Sequence, residues 1–294
     1  MYDIQNYQEA LTLSEATETL TRNPRMRIIA GGTDLLIKLH GGQIEAAELL
    51  SIRNIEALSH IEKRPDGVIS IGPLATFTQM TQDPVIKAHV PILAEAAVSM
   101  GGPQIRNIAT IGGNVCNGAT SADSASSLFA LEAELVLISS RGSRVLPISE
   151  FYLGPGKVDL RAGEILTEIR ILPRHYVGFG GHYIKFAMRK AMDIATLGVA
   201  VLCKLEAGNI LAEVKIGLGV AGPTPLRCFE AEAYAVGKAV STDVLNEVGR
   251  LAIRSAKART SWRASKEYRE HLIQELVPRA LREAIVQAGG GEIA

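Results

Sequence analysis

The stretch GGPQIRNIATIGGNVCNGATSAD, residues 101–123, decides how the rest of the chain is read. Its Gly, Asn, Ser and Thr residues follow neither the period of a helix nor that of a strand. It nevertheless sits between two apolar, helix-like segments, residues 92–100 and 124–131. A loop of that length inside a compact chain is uncommon unless it has a function. Gly101, Gly102, Gly112 and Gly113 can adopt positive φ and let the backbone approach a ligand where a Cβ would stand in the way. Successive N–H groups in such a turn form an anion-binding concavity. A solvated linker is the competing reading.

A second glycine pair lies upstream. RMRIIA (25–30) predicts a short strand that runs into Gly31-Gly32-Thr33-Asp34, and LLIKL then predicts a helix closed by Gly41-Gly42. Strand, glycine turn and helix N-terminus together suit a phosphate, because first-turn N–H groups have no partner inside the helix. The motif is neither GxGxxG nor GxxxxGK[ST], so a Rossmann or P-loop fold is not indicated. The alternative is an ordinary turn capped by Asp34 or Thr33. If the two glycine loops face each other across a cleft, they can hold a diphosphate with no cluster of lysines. Each charge-assisted hydrogen bond contributes roughly 1.5–3 kcal/mol.

Composition narrows the field. The 294 residues are 47% hydrophobic and 21% charged, with a formal net charge of +0, which argues against nucleic-acid binding through a basic face. The N-terminal MYDIQNYQEALTL is unlike a signal peptide, and no apolar run approaches the ~20 residues of a membrane span, so a cytoplasmic protein is expected. Cys116, Cys203 and Cys228 are far apart with no CxxC, and the six histidines are scattered singly. Neither a disulfide framework nor a zinc or iron–sulfur site is supported, and a metal cluster serving this chain would belong to another one.

The remaining pattern predicts an α+β chain. Residues 13–20 read as a helix with Ser14 as N-cap, 48–52 as a buried strand, and Pro65-Asp66-Gly67 as a hairpin turn. A domain boundary is expected near Pro173, giving 1–174 and 175–289. Beyond it, three strands are predicted at 182–189, 196–206 and 210–220. In the last, Glu213 and Lys215 point outward from a half-buried alternation. Lys185 and Arg189 share one strand face, toward a ligand or water. Helices follow near 230–236, 243–258 and 265–287, with Ser265 as N-cap. SWRASKEYREHL carries the only Trp and reads as a helix start packed on another surface, of this chain or a partner.

AGGTD (30–34), RNIATIGGNVCNGATSAD (106–123), the Lys185 strand and SWRASKEYREHLI (261–273), in that order, resemble the FAD-binding subunits of the molybdenum hydroxylases. GNVCNGATSADSA, RKAMDIATLG and SWRASKEYR are most similar to the separate flavin subunit of bacterial xanthine dehydrogenases. The resemblance implies a PCMH-type (vanillyl-alcohol-oxidase-like) FAD domain of two α+β subdomains, then a three-stranded antiparallel sheet with helices. By position, Arg27, Ile28, Ile29, Ala30, Gly31, Gly32, Thr33 and Asp34 would form the first diphosphate loop, and Thr110, Ile111, Gly112, Gly113 and Asn114 the second. Asp123 would line the ribityl and adenosine side, Leu166 would be an apolar contact, Lys185 would reach the flavin or its phosphate, and Ile194 would control approach of a nicotinamide.

The implied partners are a subunit carrying the molybdenum cofactor and one carrying two [2Fe-2S] clusters, in a heterotrimer that can dimerise. Electrons would pass from the clusters to FAD and leave as hydride to NAD+. No acid, base or nucleophile is assigned in this chain, and neither nucleic acid nor membrane is expected as a partner. The alternatives are the flavin subunit of a carbon monoxide, nicotinate or aromatic-thioester enzyme, a stand-alone FAD reductase, and a non-redox nucleotide-binding module.

Overall fold

A parallel three-stranded sheet opens the computed structural model of the protein, which describes residues 2–291. Strands β1 (Ile4–Glu9), β2 (Arg27–Ile29) and β3 (Ala47–Ser51) lie in the order β1-β3-β2, connected by helices α1 (Leu13–Arg22) and α2 (Leu35–His40). The cap of α1 is Thr12 and not Ser14. Thr12 has the extended backbone that an N-cap requires, and its Oγ1 accepts from Glu15 N–H, while the Ser14 hydroxyl donates to Glu18. Leu49 and Leu50 are both buried because the central strand is covered on both faces.

The second lobe begins with the expected hairpin, β4 (Ile61–Lys63) and β5 (Ile69–Ile71), whose turn places Gly67 at φ 84°. Helices α3 (Phe77–Gln82), α4 (Pro84–His89) and α5 (Pro91–Val98) lead into residues 101–123. That stretch is not continuously irregular. It holds two short helices, α6 (Pro103–Arg106) and α7 (Ile111–Cys116), the first started by Pro103 and the second capped by Thr110 Oγ1. Helices this short display no repeating apolar face, so periodicity misses them. Then come α8 (Ala125–Ala130), β6 (Glu134–Ser139), β7 (Gly142–Pro147), α9 (Ile148–Phe151), the small ribbon β8 (Tyr152–Gly154) and β9 (Lys157–Val158), and β10 (Ile165–Ile171). The antiparallel sheet runs β4-β5-β10-β6-β7, and its core is built from residues such as Ile92, Leu128 and Leu137.

The last sheet has four strands and not three: β11 (Gly180–Phe186), β12 (Leu197–Glu206), β13 (Ile210–Gly219) and the two-residue β14 (Leu226–Arg227). β14 follows Pro223 and Pro225 and is too short to show alternation. Helices α10 (Phe229–Ala235), α11 (Thr242–Ala252) and α12 (Lys266–Gln287) cover one face, and Ser265 caps α12 as expected. α11 crosses α12 where a Cβ on Gly249 would stand 2.7 Å from Pro278 Cγ. β11 stops at Phe186, and Arg189 turns back to Asp193 and the Met192 carbonyl, so it does not share the Lys185 face.

The other face of this sheet is also covered. α8 lies so close to β13 that a Cβ on Gly217 would meet the Ser126 carbonyl at 2.1 Å. Lys215 is therefore buried and not solvated. Its Nζ lies 2.9 Å from Glu132 Oε1 and 3.4 Å from Glu213 Oε1, and donates to His175 Nδ1 at 2.9 Å.

Burial, then the adjacent Lys215, hold the His175 imidazole down to about 4. Because its folded-state value is depressed, the unfolded chain takes up this proton first, and stability is lost as pH falls from 6.5 toward 4. We expect His175→Gln to reduce that acid sensitivity by on the order of 2 kcal/mol, measured by urea unfolding above and below this interval.

Candidate functional site

The two glycine loops converge. A Cβ on Gly31 would stand 2.2 Å from the Ile108 carbonyl oxygen, and one on Gly112 would stand 2.3 Å from Pro73 Cβ. Gly32 has φ 72°, whereas Gly112 and Gly113 lie within α7 and adopt no positive φ. At Gly31 and Gly112, then, glycine permits one backbone to touch another segment of the same chain. The resulting cleft measures about 410 Å³ and is closed on its third side by residues 160–166.

The first loop presents an open row of donors. Leu36 and Lys38 N–H bond to the Gly32 and Asp34 carbonyls, but among the described residues no acceptor meets the N–H groups of Gly31, Gly32, Thr33, Asp34 and Leu35. Asp34 occupies the cap position of α2 with helical dihedrals and makes no capping bond, and Thr33 does not substitute for it. The second loop differs from the expectation of two amide rows. Ile111 N–H goes to the Ala75 carbonyl, Gly112 N–H to Pro73, Asn114 N–H to the Thr110 carbonyl and Gly113 N–H to Thr110 Oγ1. This loop offers side chains instead: Asn114 Oδ1 accepts from Ser124, leaving its amide NH2 without a partner among the described residues. Lys38 Nζ, on α2, reaches Asn117 Oδ1 at 2.9 Å and ties the two sides together.

The third wall is held from outside. Arg144 donates through Nε and Nη2 to the two Glu164 oxygens, and to the side chain and carbonyl of Asp159. Burial alone would raise the Glu164 carboxyl, but the bonds from Arg144 and Arg161 N–H outweigh it and hold the group below its usual range. This clamp was not foreseen, because Arg144 and Glu164 are distant in sequence. Leu166 and Met100 also line the cleft, as does Cys116, whose thiol burial pushes up to about 12.

The structure sorts the sequence-predicted residues into three groups. Arg27 to Asp34, Thr110, Gly112, Gly113, Asn114 and Leu166 line the cleft. Ile111 is wholly buried, with its side chain in the core. Asp123, Lys185 and Ile194 do not line the cleft. Lys185 borders a neighbouring hollow of about 300 Å³ that begins at Ser99, next to Met100. There its Nζ lies 3.0 Å from Asp123 and donates to the Ser99 carbonyl, a buried ion pair and not a solvated face. Asp123 Oδ1 is buried without a well-directed hydrogen bond. Ile194 is half exposed on the loop whose Met192 packs over Gly102.

Residues 2–174 match the family described as the FAD binding domain in molybdopterin dehydrogenase, and residues 182–284 match the CO dehydrogenase flavoprotein C-terminal domain. The chain belongs to this family of molybdenum hydroxylase flavoproteins. It is 43% identical over 290 residues to the xanthine dehydrogenase FAD-binding subunit of Escherichia coli O157:H7, covering 99% of both chains. It is 32% identical to the carbon monoxide dehydrogenase medium chain of Hydrogenophaga pseudoflava, covering 88% of each. The solved carbon monoxide dehydrogenase from that organism superimposes with a TM-score of 0.92 at 28% identity, over 98% of this chain and 99% of the other. The donor row fits the diphosphate of the family's FAD: amides without acceptors at a helix start that lines the cleft. Among the described residues no helix is long and apolar enough to cross a membrane, and no group of three His, Cys, Asp or Glu residues could hold a metal ion.

Two outcomes test this geometry. Gly112→Val must displace Pro73, so flavin content and melting temperature should fall together, with overpacking costing about 1–3 kcal/mol; calorimetry beside flavin absorbance checks this. Burial raises the Asp123 carboxyl to about 6 against the opposing pull of Lys185. A raised acid value favours the protonated form in the folded state, so the Asp123 contribution to stability falls as pH rises from 3.8 toward 6. A carboxyl titration followed by infrared difference spectroscopy should show an inflection near 6 that vanishes in Asp123→Asn.

Proposed function

We propose that the cleft holds FAD with its diphosphate on the amides of Gly31 to Leu35, and that the chain is the electron-transfer subunit of a molybdenum-dependent xanthine dehydrogenase. The observation that carries this reading is the row of backbone donors left without acceptors at the start of α2. Residues 1–174 would carry the cofactor, and residues 175–289 would contribute Lys185 and the loop bearing Ile194. Bound FAD supplies the redox chemistry, between [2Fe-2S] clusters on a partner subunit and NAD+ as acceptor.

The chain's own groups bind and orient. Helix-start amides stabilise the diphosphate without requiring a lysine cluster. Thr110 and Asn114 contribute polar contacts from the opposite side, and Arg144 keeps residues 160–166 in place as the third wall. Lys185, fixed by Asp123 and the Ser99 carbonyl, places a cation beside the flavin end, and Ile194 limits how a nicotinamide approaches. The xanthine assignment draws its support from the identity with the Escherichia coli subunit, and the purine itself would be bound by the molybdenum subunit.

Purified alone, the chain is expected to be yellow with flavin absorbance and no iron. Co-expressed with its metal-bearing partners, it is expected to reduce NAD+ in a xanthine-dependent manner. A colourless protein after gentle purification would count against the cofactor site. Turnover of nicotinate or carbon monoxide in place of xanthine would move the assignment to another molybdenum hydroxylase.

A further inference from the structure

The segment SWRASKEYR was singled out in the sequence for its lone Trp and its arginines, and nothing in the cofactor site uses it. Residues 256–260 have no regular structure and lead into a turn, 261–264, closed by the Ser261 N–H on the Ala264 carbonyl just before α12. Trp262 is 78% exposed and lies under the Arg263 guanidinium, 4.2 Å from the ring centre. Arg259, Arg263 and Arg269 converge here, and among the described residues no carboxylate forms an ion pair with any of them. Arg269 is buried and donates to the Thr196 and Val220 carbonyls and to Ser261 Oγ, and the Nε atoms of both Arg263 and Arg269 are buried without acceptors. Clustered guanidinium groups without a counter-charge are an unusual arrangement, since their mutual repulsion is otherwise uncompensated. Burial, and then Arg259 and Arg263, hold the Arg269 guanidinium below its ordinary value. The chain as a whole is neutral, so this local excess is not a by-product of a basic protein.

We infer that this face, Trp262 with Arg259 and Arg263, is the docking surface for an acidic, carboxylate-bearing face of the electron-donating iron–sulfur subunit. The inference rests on the subunit reading given above. Trp and Arg are among the residue types most enriched as anchors at protein interfaces, and neighbouring guanidinium groups with no carboxylate partner among the described residues are suited to an acidic counterpart. The location fits electron delivery. Arg269 bonds to Thr196 at the end of the Ile194 loop, and the Tyr268 ring, at the head of α12, meets the Phe186 ring, where β11 ends beside the Lys185 hollow. Met188 and Met192 on that loop are exposed at 67% and 60% and border the same hollow as Lys185. A partner seated on Trp262 is thus adjacent to the flavin end of the proposed site.

The test measures binding of the FAD-loaded chain to the purified iron–sulfur subunit of its own complex, at low and high salt. Arg259→Glu and Trp262→Ser should each weaken binding by at least ~10-fold, and the wild-type affinity should fall with added salt. Flavin content and melting temperature of the isolated variants should match the wild type, because both side chains are exposed and neither lines the cleft. Arg263→Glu adds a third variant, and if it fails to fold, Arg259→Glu and Trp262→Ser decide. Wild-type affinity in both exposed variants overturns the inference while leaving the cofactor reading intact. A wild-type chain that binds FAD but never the iron–sulfur subunit overturns the subunit reading and this inference with it.

Discussion

The site depends on one close contact: the Gly31 backbone against the carbonyl of Ile108, with Gly112 set equally close on Pro73. No side chain can stand between these segments, because any Cβ would lie far inside van der Waals distance. The contact brings the start of α2 against the loop that precedes α7, although β3, the β4–β5 hairpin and α3 to α6 lie between them in sequence. Once they touch, the first-turn amides of α2 border a cleft in which no acceptor among the described residues meets them. Backbone donors in that position favour an anion, and the helix start adds its partial positive charge.

The same logic of long-range covering governs the charged groups. β13 has the alternation of a half-buried strand, but the lobe that carries α8 sits on its second face and encloses Lys215 among Glu132, Glu213 and His175. Lys185 has the same history, enclosed with Asp123 and the Ser99 carbonyl. Buried charges of this kind are tolerated only when paired, and here each lysine has a carboxylate within 3.0 Å. Arg259, Arg263 and Arg269 have no carboxylate partner among the described residues; buried Arg269 bonds to the Thr196 and Val220 carbonyls instead, and exposed Arg259 is open to a counter-charge from outside.

Much of the site was legible. Gly31-Gly32-Thr33-Asp34 between a strand and a helix, and Thr110 to Asn114 downstream, announce backbone chemistry, and all but Ile111 line the cleft. Only one of the two amide rows is open, because the Pro73 and Ala75 carbonyls take the Gly112 and Ile111 N–H groups. No local pattern could reveal that, since the acceptors lie more than thirty residues away. The Arg144 clamp on Glu164 escaped because its partners are also distant in sequence, and β14 because two residues show no alternation.

What the sequence determined by itself was the α+β order of elements, the position of both glycine turns and, through their resemblance to a flavoprotein family, the kind of ligand they suit. Those features depend on neighbours within a few residues, where periodicity, glycine and caps act directly. The tertiary structure alone decided which donors stay free, which lysines become buried partners, and which arginines are left without one. These outcomes depend on the second surface that each element meets, and that surface is supplied by parts of the chain far away in sequence.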